Sequence, residues 1–369
     1  MNDKGAVDSN KQPRQSNLEL YRIVCMLLIL AHHYAGNFGV LGNPGPAEVN
    51  PFAPNSLFIY LFGMWGKTGI NCFILITGYF MCTSRITFGK FLKLYLWVIT
   101  YNVLFALIFV ITGYQSISYD LLYVFFPFLQ LHSDNFVSSF FIWWLFIPFL
   151  NILVDNLDSK KHLILILLLV LFFSIYPLAP MVFKLQGMNP ICWFSTLYII
   201  ASYIRKYPGS IYRYTSCGFW GLVTLLLALF SMISVVAILW VNQKYNLNLP
   251  HYHFVSDSHK LMALLVAVSS FMCFKNLKIG YSKLINVIGG STFGVLLIHS
   301  NSSAMRQWLW ADTLNCANHF YLPFPKFVLY SVGVVLLIFA LCIIIDRIRI
   351  KAVEEPFFKW YNHKHPSRT

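Results

Sequence analysis

Two residues able to do chemistry share one long apolar run: Arg22 and His33, in NLELYRIVCMLLILAHHYAGNF, residues 17–38. On an α-helix at about 100° per residue, eleven steps leave the two side chains about 20° apart around the axis and ~16 Å apart along it. They share a face. Histidine titrates near neutrality and suits a general base, while arginine holds an anion or fixes a neighbouring helix. Glu19 precedes Arg22 by three residues and can pair with it on that face. His32 adjoins His33 but points about 100° round the helix. The plainer reading has Arg22 snorkelling to one interface and the histidines capping the other end. Ionisable groups within a span are costly and usually face protein or water, so this run is the first candidate site.

The elements that must position it are membrane spans. With 369 residues, 58% hydrophobic and 11% charged, the chain is too apolar for an ordinary soluble globule. Apolar runs of about 17 to 25 residues predict roughly ten spans, an all-α polytopic bundle. They lie at about 17–38, 56–82, 91–112, 137–154, 162–176, 191–204, 218–241, 260–274, 284–299 and 327–345. The shorter run Tyr119 to Leu131 reads as interfacial or re-entrant. Basic clusters at Arg85 to Lys93, Lys160-Lys161, Arg205 to Arg213, Lys275 to Lys283 and the tail fall in every second loop, which predicts both termini cytoplasmic. The division expected is a polar cytoplasmic segment 1–16, a transmembrane domain 17–350 and a basic cytoplasmic tail 351–369. No small-residue cleavage site follows the first run, so it reads as a retained helix. The net charge of +14 is scattered in short clusters, a pattern of membrane topology rather than of nucleic-acid binding. Eight cysteines lie mostly in apolar runs without CxxC spacing, and read as small core residues. No internal repeat supports an inverted-repeat transporter.

Further candidates follow the spans. Arg85, Lys90 and Lys93 read either as positive-inside anchors or as cations meeting phosphates at a cavity mouth. No glycine-rich phosphate loop is present for that task. Lys67 lies among Gly63, Gly66 and Gly69, which let helices approach closely; it snorkels, or it stabilises a developing oxyanion. His299, Asn301 and Arg306 end the ninth span at the depth of His33, as a structural helix end or as part of a shared substrate site. His251, His253, Asp257 and His259 share a loop, but their spacing is a poor metal pattern, and no metal is expected. There is no GxSxG, HxxxxD or DHHC, which leaves direct transfer with a histidine base as the simpler chemistry.

Four motifs, in order, resemble acyltransferase family 3, multispan enzymes that O-acylate cell-surface glycans. They are Arg22 to His33 (RIVCMLLILAHH), GKTGINCFILITGYFM with Thr77-Gly78-Tyr79, GGSTFGVLLIHSNS, and VEEPFFKW. The resemblance covers about Asn17 to Trp360. It implies transfer of an acetyl or similar acyl group from cytoplasmic acetyl-CoA to a hydroxyl of a cell-surface or exported polysaccharide. The resemblance thus implies a membrane O-acetyltransferase of the cell membrane with a glycan acceptor, free or lipid-linked, and lipid around it. His33 takes the place of the histidine that deprotonates the acceptor and Arg22 that of the donor-side arginine. Arg85, Lys90 and Lys93 are expected at the CoA phosphates, and Glu19, His32, Lys67, His299, Asn301 and Arg306 at the substrates. The chain ends at Thr369 without the hydrolase-like domain some members carry. The runner-up is a transporter or exporter of a polysaccharide unit or acyl sugar.

Overall fold

The computed structural model describes residues 14–37, 47, 50–116, 124–129, 136–178, 188–209 and 216–364. Among these, every regular element is helical. We number them α1 (Ser16–Gly36), α2 (Pro54–Gly63), α3 (Gly66–Met81), α4 (Phe88–Ile111), α5 (Phe136–Asp155), α6 (Ser159–Val170), α7 (Pro190–Lys206), α8 (Cys217–Tyr245), α9 (Leu261–Lys275), α10 (Lys283–Gly289), α11 (Thr292–His299), α12 (Ser303–Arg306), α13 (Phe324–Arg349) and α14 (Glu355–Lys364). Their starts follow local chemistry. The side chains of Thr87, Asp158, Asn189 and Ser216 accept from early backbone N–H groups of α4, α6, α7 and α8. Pro54 and Pro190 stand at the first helical position, where the missing N–H costs nothing.

Each of the ten predicted runs is helical, but the count of crossings is lower. Seven helices are long and apolar enough to cross a membrane, or eight if the pair 283–299 and 303–313, bent by 94°, forms one span. The other two, α7 with 17 residues and α9 with 15, measure only about 22–26 Å at 1.5 Å per residue. A bilayer core is about 30 Å thick. Both are largely buried among their neighbours, so packing rather than lipid exposure sets their length. Only part of the predicted run Tyr119 to Leu131 lies within the described residues, and there Pro127–Leu129 forms a short 3-10 turn. The segment 1–13 and residues 365–369 lie outside them.

Helix α1 is the centre of the bundle, packed against α2, α3, α9, α10, α11 and α13. Its contact with α2 and α3 depends on glycines three residues apart. A Cβ on Gly63 would strike Ala35, one on Gly66 the His32 ring, and one on Gly69 the side chain of Ile29. The same device seats the start of α1 against the break between α10 and α11, where a Cβ on Gly289 would meet Glu19 and one on Gly290 the Arg14 guanidinium. The periphery reads differently. Helices α4, α6, α8 and α13 turn Leu107, Ile111, Leu167, Leu168, Leu225, Ile233 and Leu337 outward, the surface a lipid environment demands.

Candidate active site

The Arg22 end of α1 is built on charge. Glu19 is buried, and its Oε1 lies 3.6 Å from both Arg14 Nη1 and Arg22 Nη1. Its other oxygen has no hydrogen-bond partner. The helix start is locked in place by neighbours: Asn17 donates to the carbonyls of Phe274 and Lys275 at 3.1 and 3.0 Å, Ser16 donates to Asn286 Oδ1 at 3.2 Å, and Ser282 N donates to Ser16 at 2.9 Å. The Arg22 side chain keeps 25% of its surface open, so the guanidinium is held by one carboxylate yet still reachable.

The other end is built on a pair of imidazoles. His33 Nδ1 lies 2.8 Å from His299 Nε2, and His299 Nδ1 donates to the Val295 carbonyl at 2.6 Å. His33 is half-buried, whereas His299 is fully buried behind it, with Trp310 edge-on to its ring. The adjacent His32 turns away and donates from Nδ1 to the Gly63 carbonyl at 2.7 Å, against the glycine face of α2 and α3. The doubled histidine therefore splits into one ring engaged in helix packing against Gly63 and one, half-buried, hydrogen-bonded to His299. Lys67, half-buried in the first turn of α3, and Arg306 on α12 both lie within electrostatic reach of His33. Asn301 is drawn aside, donating to Asn102 Oδ1 at 3.0 Å and to the Leu297 carbonyl at 3.2 Å.

The expected donor cations are distributed unevenly. Lys90 donates to Ser84 Oγ at 2.6 Å and to the Arg85 carbonyl at 2.7 Å, and Arg85 itself is exposed. Lys93 pairs with Glu354 at 2.6 Å. That pair leads into a cluster the sequence reading did not single out. Arg349 bridges Glu354 and Asp346, each at 2.9 Å, and Trp97 and Tyr101 donate to Asp346 Oδ1 at 2.9 and 2.8 Å. Gly294 of α11 packs directly against the Asp346 carboxylate. The signal available was an acid three residues before an arginine inside an otherwise apolar run. Arg205 was also passed over as a site residue; it donates to the Tyr79 hydroxyl at 3.0 Å and lies 4.8 Å from that ring's centre.

The profile of a family described as an acyltransferase domain matches residues 15–345, nearly the whole chain. The chain belongs to acyltransferase family 3. No match was found among curated proteins or solved structures. In this membrane acyltransferase the matched region contains both ends of α1, the glycine face and the His299 helix. Of the loop histidines of the acyltransferase, His259 also lies within electrostatic reach of Lys67. His259 faces Asp257 at 3.5 Å, while His251 packs against Tyr60. Burial pushes His251, His253 and His259 below the usual imidazole range, and Asp257 partly opposes this at His259. Among the described residues no three His, Cys, Asp or Glu side chains gather as a metal site.

Proposed function

We propose that this acyltransferase moves an acetyl or similar acyl group from cytoplasmic acyl-CoA to a hydroxyl of a cell-surface or exported polysaccharide, with His33 as general base. The observation that carries the reading is the half-buried imidazole of His33 on the α1 face that also presents Arg22, hydrogen-bonded through Nδ1 to a buried partner. In this mechanism His33 Nε2 takes the proton of the acceptor hydroxyl as its oxygen attacks the thioester carbonyl. The C–S bond then breaks, and the departing CoA thiolate recovers that proton. Acceptor and thioester become ester and free thiol.

The remaining roles follow position and charge. Both termini are cytoplasmic in this reading, with Arg22 on the donor side and Arg85, Lys90 and Lys93 at the CoA phosphates, since cations at a cavity mouth attract polyanions. About 16 Å of helix separates Arg22 from His33, a gap that an extended pantetheine arm spans. In this reading Lys67 neutralises the tetrahedral oxyanion and Arg306 holds the acceptor. The deciding experiment incubates purified protein with acetyl-CoA and the source cells' surface polysaccharide, stripped of O-esters by mild alkali. Polysaccharide-dependent release of free CoA and new O-acetyl groups is expected. An intact thioester would contradict the proposal and return the protein to the polysaccharide or acyl-sugar transporter reading.

A further inference from the structure

Three hydrogen-bonding groups in a row, the Val295 carbonyl and the rings of His299 and His33, fix the protons between α1 and α11. The Val295 carbonyl oxygen can only accept, so the proton on that bond belongs to His299 Nδ1. His299 is fully buried and has no carboxylate partner among the described residues, and a buried, unpaired imidazolium is expensive. The ring is therefore neutral, and its Nε2 carries a lone pair. That atom lies 2.8 Å from His33 Nδ1, so His33 must donate there. A neutral His33 that donates from Nδ1 has a bare Nε2.

We propose that His299 is a positioning residue: by accepting from His33 Nδ1 it fixes the tautomer that leaves His33 Nε2 unprotonated and ready to take a proton. The inference rests on His33 being the base. It assigns His299 no contact with the acceptor, since its ring has no exposed surface. The arrangement is a histidine oriented by a second histidine, in which a neutral acceptor replaces the more usual carboxylate. When His33 takes up the proton, the same hydrogen bond becomes charge-assisted and strengthens, so His299 favours the imidazolium that forms during transfer. The backbone of α11 holds the chain in register, because Val295 is one helical turn before His299.

The test measures acceptor kcat and KM of purified full-length protein with acetyl-CoA and the alkali-treated polysaccharide, for His299→Leu, His299→Gln and His33→Ala. Glutamine can place an amide oxygen near the position of Nε2, whereas leucine fills the space and accepts nothing. The expected pattern is a fall in kcat of about 10²-fold or more for His299→Leu with an acceptor KM within about twofold, and recovery to within about tenfold of wild type for His299→Gln. A raised KM with kcat kept would make His299 an acceptor contact and overturn the proposal. So would unchanged kinetics in the leucine variant, or a folded glutamine variant as inactive as His33→Ala. If the leucine variant does not elute as a folded species, the glutamine variant decides alone on the same limits. An active His33→Ala enzyme would instead overturn the base assignment itself, which separates the two failures.

Discussion

At the Arg22 end of α1 a buried carboxylate lies 3.6 Å from two guanidinium groups, whereas at the His33 end two imidazoles share one 2.8 Å hydrogen bond with no acid paired to them among the described residues. The same helix carries both, about 16 Å apart. Charge suits the first end, since a guanidinium balanced by one carboxylate and still 25% open can exchange part of that balance for an incoming anion. Neutrality suits the second. A base must be unprotonated before it acts, and a carboxylate next to His33 would favour the charged ring. The contrast teaches that a costly residue in a span is interpreted by its partner: acid for the binding group, neutral acceptor for the proton-transfer group.

The largest effect that tests this contrast is on chemistry. His33→Ala is expected to lower acyl transfer by about 10²–10⁴-fold while the protein still folds, with a loss of stability of about 1–3 kcal/mol from leaving the buried His299 Nε2 without its donor. Wild-type turnover should rise with pH as His33 loses its proton. The sign follows from the role: activity is present above the pKa of His33 and lost below it, and the limb should vanish with the residue. A pH–rate profile of the acceptor reaction checks both points.

Substitutions at the opposite end should act on binding and stability. Arg22→Gln is expected to raise the acetyl-CoA KM about tenfold or more, as loss of a charge-assisted contact would, with a smaller change in kcat. Initial rates at varied donor and salt concentrations separate the two. Glu19→Gln leaves two guanidinium groups without their shared carboxylate and should cost about 1–3 kcal/mol, read as a lower melting temperature in detergent. Gly66→Ala drives a methyl into the His32 ring and should cost about 1–3 kcal/mol. His33 lies on another face, so its pH limb should survive. The smallest effect belongs to Lys90→Met. Lys90 is exposed and already bonded to Ser84 and Arg85, so a change in donor KM of about twofold is expected.

How much of this was legible in the sequence depends on range. The shared face of Arg22 and His33 and the pairing of Glu19 with Arg22 are local helical geometry, and both were readable from spacing. Glycines at 63, 66 and 69 announced close packing because a missing Cβ has one obvious use. The helices themselves follow from hydropathy, but the number of crossings does not, because α7 and α9 are short inside the bundle. The partner of His33 stands 266 residues away, on a helix that only tertiary packing brings against α1. Spacing carries no signal of that kind. The same holds for the separate fates of His32 and His33, and for Lys93, which the sequence offers as a phosphate contact and the structure pairs with Glu354.

The most direct measurement is single-turnover cleavage of acetyl-CoA by purified His33→Gln protein in the presence of the alkali-treated surface polysaccharide. Glutamine keeps a polar side chain beside His299 but cannot take up a proton at neutral pH. Cleavage no faster than spontaneous thioester hydrolysis is predicted, with acetyl-CoA still bound at wild-type affinity. Cleavage at the wild-type rate, with acetyl groups appearing on the polysaccharide, would contradict His33 as the base.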